Sequence, residues 1–133
     1  MSRIYLLMAS MVVSTSLFAK EVEITKVELE STKSTWTVQV TLSHDDQGYD
    51  HYANGWRIVD AKKNILASQE LYHPHDSKKP FTDSKTNITI PRGTKIIFVE
   101  AQAKPHGWSK QRVQIDLSKV KGDRYLIRTA KAP

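Results

Sequence analysis

Trp36-Thr37-Val38-Gln39-Val40-Thr41-Leu42 alternates without interruption between apolar and polar side chains. A period of two over seven residues puts Trp36, Val38, Val40 and Leu42 on one face, the pattern of a half-buried antiparallel strand. Upstream, Val22, Ile24, Val27 and Leu29 keep the same period with one slip, which a β-bulge would absorb. Downstream, Gly55 to Val59 and Ile65 to Leu71 read as two strands joined by the polar turn Asp60-Ala61-Lys62-Lys63-Asn64. Thr86 to Ile90 is a short β-branched strand. Pro91-Arg92-Gly93-Thr94 is a turn, in which proline presets one backbone angle and glycine tolerates the other. Lys95 to Ala103 and Gln111 to Leu117 follow as strands, and Tyr125-Leu126-Ile127 closes a sheet edge. About seven to eight short strands with no helical period predict an all-β fold, an antiparallel β-sandwich of immunoglobulin or fibronectin type III character. A small barrel is the alternative.

The chain has 133 residues, no cysteine, five histidines and a formal net charge of +6. That length suits one compact domain. The absence of cysteine excludes a disulfide framework, thiolate zinc sites, thiol catalysis and iron–sulfur clusters. The charge is too mild to point to nucleic acid.

Met1-Ser2-Arg3, an apolar run from Ile4 to Val13, and the small residues leading to Ala19 have the order of a secretory signal peptide. The run is too short for a membrane span, which needs about 20 mostly apolar residues. The sequence is therefore expected to divide into a signal peptide at 1–19 and one β-sandwich domain at 20–133. The mature form is expected to be periplasmic or secreted, with no stable membrane span. No cysteine follows the run, so lipid attachment to cysteine is not expected. Removal of 1–19 also takes Met1, Met8 and Met11, which are all of the methionines. The exported chain then carries no sulfur, and only imidazole, carboxylate, amide and hydroxyl ligands remain for a metal.

All five histidines fall in three predicted connections. His44 opens His44-Asp45-Asp46-Gln47-Gly48-Tyr49-Asp50-His51-Tyr52, His73 and His75 flank Pro74 in the stretch Tyr72 to Ser84, and His106 lies in Lys104-Pro105-His106-Gly107-Trp108. Successive connections of this set are separated by two strands, and an even number returns the chain to the same end of a sandwich. The three connections are thus expected to converge. Neutral imidazoles bind Cu(II) or Zn(II), and nearby carboxylates can complete the shell. His44, His51, His73, His75, His106, Asp46 and Asp50 are the candidate metal ligands, with Asp45 beside them. Proline between His73 and His75 fixes one backbone angle and lowers the ordering cost of binding. Against this, a loop histidine is more often a hydrogen-bonding surface residue than a ligand, and the Lys78 and Lys79 charges oppose a cation until salt screens them.

Other chemistries find no support. There is no G-x-S-x-G elbow, P-loop, H-E-x-x-H or glycine-rich dinucleotide turn, so no organic cofactor is indicated. Tyr49, Tyr52, Trp56, Tyr72, Phe81 and Trp108 lie near the same loops and could stack on a sugar, although Trp56, Phe81 and Trp108 are better read as capping the core. Lys119, Lys121, Arg124, Arg128 and Lys131 read as a solvated basic surface.

The spaced combination His44 to Ala53, Leu71-Tyr72-His73-Pro74-His75, Pro80-Phe81-Thr82, Ile90-Pro91 and His106-Gly107 resembles an uncharacterised family of small exported bacterial β-sandwich proteins. The resemblance covers roughly Trp36 to Leu117. It implies a shared fold and shared histidine loops, and names no activity. In the family pattern the His-Pro-His loop continues with an acidic residue and glutamine, then Pro-Phe-Thr-Arg. Here Lys78 and Lys79 take the first two places and Asp83 replaces the arginine. The leading expectation is an exported protein that binds a divalent transition metal, more a binder than an enzyme. An interaction module for an envelope protein or glycan, with structural histidines, is the alternative. A metal-dependent hydrolase or redox enzyme is least supported.

Overall fold

The computed structural model describes residues 21–75 and 79–129. The expected signal peptide, Lys78 and Lys131 lie outside the described residues. These contain no α-helix, and therefore no helix long and apolar enough to cross a membrane. The strands are β1 (Glu23–Thr32), β2 (Thr35–Ser43), β3 (Ala53–Asp60), β4 (Ile65–Glu70), β5 (Phe81–Ile88), β6 (Ile96–Ala103), β7 (Gly107–Asp116), β8 (Lys121–Gly122) and β9 (Tyr125–Thr129). One sheet has the order β5-β2-β1-β9-β8 and the other β4-β3-β6-β7.

The deciding stretch is β2. Val38, Val40 and Leu42 are fully buried, and Trp36 packs against the same core from a half-buried position. β1 pairs antiparallel with β2, and the slip in its pattern is a register shift between Ile24 and Lys26. The extra residue brings Ile24, Val27 and Leu29 onto one face, where all are buried. From the second sheet, Trp56 and Ile58 of β3, Ile97 and Val99 of β6, and Val113 and Ile115 of β7 join the same core. The two sheets therefore share one apolar interior.

The turns follow their chemistry. Asp60 Oδ1 accepts hydrogen bonds from the backbone N–H of Lys62 and Asn64, and Asp60 Oδ2 accepts one from Asn64 Nδ2, closing the β3–β4 turn. Between β5 and β6, Thr94 N–H donates to Pro91 O, and Gly93 takes a φ of 85° that favours glycine.

Three expectations are corrected. The described residues form nine strands, the eighth only two residues long, rather than about seven to eight. β9 is not an edge: it lies between β1 and β8 and runs parallel to β1, with Val27 opposite Tyr125 and Leu29 opposite Ile127. Arg124 anchors this arrival through Nη1, which donates to Ile24 O. β5 begins at Phe81 rather than Thr86, and β7 at Gly107 rather than Gln111, because both strands start with residues that alternate weakly.

Candidate functional site

The β2–β3, β4–β5 and β6–β7 connections meet at one end of the molecule, and Asp46 ties the first two together. Its side chain and that of His44 are each 1% exposed. Asp46 Oδ1 accepts from His44 Nδ1 (2.6 Å) and from Ala53 N–H (2.9 Å), and Asp46 Oδ2 accepts from His75 N–H (2.7 Å). A carboxylate can only accept, so His44 carries its proton on Nδ1. That assignment leaves Nε2 as the ring's ligand atom, the arrangement by which a carboxylate orients a metal-binding imidazole. The loop closes around this pair: Gln47 N–H donates to His51 O, and His51 N–H to Gly48 O, with Gly48 at a φ of 96°.

Three imidazoles stand in a row. The His44 and His51 rings are stacked with centroids 5.3 Å apart, and the His51 and His106 rings meet edge to face at 5.6 Å. His44 is buried, His51 half-buried and His106 exposed, so the row leads from the core edge to solvent. His106 arrives on the tight turn after β6, whose Lys104 N–H donates to Tyr52 O.

The other candidates are placed differently. The His75 ring lies flat on Phe81 with centroids 3.6 Å apart, and its Nδ1 is buried without a partner. His75 reaches the row through its backbone rather than its ring. His73 and Asp50 are exposed and make no side-chain hydrogen bond among the described residues. Asp46 has both oxygens engaged, which suits positioning His44 better than coordination. Among the described residues, no group of three or more His, Cys, Asp or Glu side chains is arranged to hold a metal ion as the rings stand. The five imidazoles are thus not brought to one point. The structure joins three rings and one carboxylate.

The aromatics divide in the same way. Trp56 is fully buried, as the core reading expected, and its Nε1 donates to Asp83 Oδ2 at 2.7 Å across the two sheets. Trp108 is not core: it lies on the outer face of its sheet beneath the Arg57 guanidinium, 3.7 Å from the ring centre, and Arg57 Nε donates to Glu100. Tyr72 is exposed and donates from its hydroxyl to Glu70 Oε2 at 2.8 Å. That hydrogen bond to the carboxylate, together with its charge, holds the phenol above its ordinary pKa. Sequence reasoning missed Asp46 as a hub. The signal was present in an Asp two residues after a strand-ending His, a position from which a short side chain bonds nearby backbone.

No family model matches the chain. No solved structure matches it. The chain is similar to a curated protein of Halomicrobium mukohataei named "Putative lipoprotein", with 40% identity over 77 residues. The match covers 58% of this chain and 37% of the relative, so the chain spans little more than a third of that protein's length.

Proposed function

We propose that this is a small exported β-sandwich protein whose loop end binds a divalent transition metal, Cu(II) or Zn(II), through His44, His51 and His106. The observation that carries the reading is the spacing of the rings. With metal–nitrogen distances of about 2.0–2.1 Å, two imidazoles on one tetrahedral ion have centroids about 5 Å apart. The row here is spaced at 5.3 and 5.6 Å, with the innermost ring already oriented by Asp46. Coordination by one ion then asks the His51 and His106 rings, both on the solvent side, to turn toward His44 Nε2. Borderline nitrogen ligands suit Cu(II) and Zn(II) better than hard cations.

Export rests on the charged, apolar and small-residue order of 1–19 and agrees with the lipoprotein name of the similar protein. The sandwich type rests on strand order. With β1, β2, β3, β5, β6 and β7 as A, B, C, E, F and G, the orders β5-β2-β1 and β3-β6-β7 repeat the A-B-E and C-F-G neighbours of immunoglobulin sandwiches.

Titration of the untagged mature protein with Zn(II) and Cu(II), followed by tryptophan fluorescence and metal analysis, tests the reading. Micromolar or tighter saturable binding is expected. It should be lost in a His51→Ala, His106→Ala double variant and retained in a His73→Ala, His75→Ala double variant. No saturable binding near neutral pH, or loss in the second variant alone, overturns it.

A further inference from the structure

A hollow of about 240 Å³ adjoins the histidine loops on the β3–β6 side, lined by Tyr52, Asn54, Glu70, Tyr72, Gln102 and Lys104. Its back wall is a β-bulge. Ala53 pairs with Ala103 and Gly55 with Gln102, so Asn54 is the extra residue. A bulge re-aims the side chain it carries and recurs beside binding sites. Asn54 Oδ1 is buried and has no hydrogen-bond partner, an uncompensated acceptor in a wall otherwise built of paired strands.

Gly55 completes the shape. A Cβ there would lie 2.9 Å from Gln102 Nε2, so the absence of a side chain lets the Gln102 amide lie across the strand. On the open side, Tyr72 is 67% exposed, yet the bond from its hydroxyl to Glu70 fixes the ring. Lys104 Nζ stands 5.7 Å from the centre of the Tyr52 ring and adds a cationic donor. The hollow thus combines an exposed aromatic face with two amides, one carboxylate and one ammonium.

We propose that this hollow binds a single sugar unit, a neutral hexose or an N-acetylhexosamine. A pyranose presents C–H faces flanked by hydroxyls that both donate and accept. The Tyr72 face offers stacking to the first. Glu70 accepts from hydroxyls, the Gln102 amide and Lys104 donate to them, and Asn54 Oδ1, buried as the wall stands, accepts once its side chain turns toward the hollow. The volume is below the range of about 300–1,000 Å³ typical of drug-sized ligands, so one ring rather than an oligosaccharide fills it. The site uses none of the three histidines of the ring row and does not depend on the metal reading.

The test is an NMR titration of the ¹⁵N-labelled mature protein in EDTA, with glucose, N-acetylglucosamine and glycine in separate arms. One or both sugars should shift the Asn54 and Gln102 side-chain amides and the backbone amides of Tyr72 and Lys104, with a Kd on the order of 1–10 mM. Tyr72→Ala removes an exposed ring, is expected to fold, and should weaken binding about tenfold or more. Asn54→Ala should weaken it as well, with Tyr72→Ala deciding if that variant does not fold. Silence with both sugars, sugar shifts unaltered by Tyr72→Ala, or the same shifts with glycine overturns the proposal.

Discussion

Replacing Asp46 by alanine removes the acceptor shared by three donors from two loops and the start of β3. The Ala53 N–H is fully buried, and the His44 ring nearly so. Each buried donor left without a partner costs about 1–3 kcal/mol. The His75 N–H is half-exposed and water can replace part of its bond, while removing a buried carboxylate recovers some desolvation energy. The net loss is then about 3 kcal/mol, against a total stability of about 5–15 kcal/mol for a domain. With a urea m-value of about 2 kcal/mol/M, the unfolding midpoint falls by about 1.5 M. Asp46→Asn keeps one acceptor oxygen but turns an amide N–H₂ toward a donor, so it should lose at least half as much. Urea titration by circular dichroism measures both. Hydrogen exchange should show the Ala53 and His75 amides losing protection before the amides of Val38 and Val40. A midpoint shift for Asp46→Ala below about 0.3 M, or asparagine fully replacing aspartate, would refute the assignment of Asp46 as the hub.

Trp56→Phe strands the Asp83 carboxylate and opens a small void in the core, at a cost of about 2–4 kcal/mol. Thermal unfolding should drop by roughly 10 °C, and Asp83→Leu in the same background should recover part of it. The second expectation concerns acid. Hydrogen bonding by the Asn64 side chain holds the Asp60 carboxyl below its ordinary value, Ser118 does the same for Asp116, and Lys26 for Glu28. A carboxyl whose folded pKa is depressed contributes stability above its unfolded value and loses it as pH falls through the folded one. The urea midpoint should therefore decline below about pH 4, and Asn64→Ala should flatten part of that decline. An unchanged slope would count against the Asp60 turn as a source of acid sensitivity.

Most of the architecture was legible because a sheet with one wet face writes its period directly into the chain. Trp36 to Leu42 shows this, and the slip between Ile24 and Val27 marks a bulge for the same reason. The meeting of the histidine loops was legible from strand parity alone. The direction of β9 was not. Tyr125-Leu126-Ile127 alternates whether it runs parallel or antiparallel, and only its neighbour fixes the choice. The start of β5 was hidden because Thr82, Asp83, Ser84 and Lys85 are polar on both faces of an edge strand. Ring contacts were beyond reach for another reason. Residue type says that an imidazole can ligate, but not whether its neighbour is a second imidazole, as for His51, or a phenyl ring, as for His75. Asn54 carried no signal, since its meaning lies in a one-residue mismatch with β6.

Lys79, Phe81 and Asp83 fall on one side of this end of the molecule. Asp83 accepts from Trp56, joining β5 to β3 across the two sheets. His75 stacks on Phe81, the first residue of the same β5. Lys79 is exposed in the connection that leads into it. The row formed by His44, His51 and His106 draws instead on the β2–β3 and β6–β7 connections. Charge at 79 and 83 therefore lies on the side of His75 and Phe81, apart from the three rings and the Asp46–His44 bond. Any effect of the exposed Lys79 on a cation at the ring row would be carried through solvent and should weaken as salt rises. A missing ligand would give a deficit that salt does not relieve, so the salt dependence of metal affinity separates the two causes.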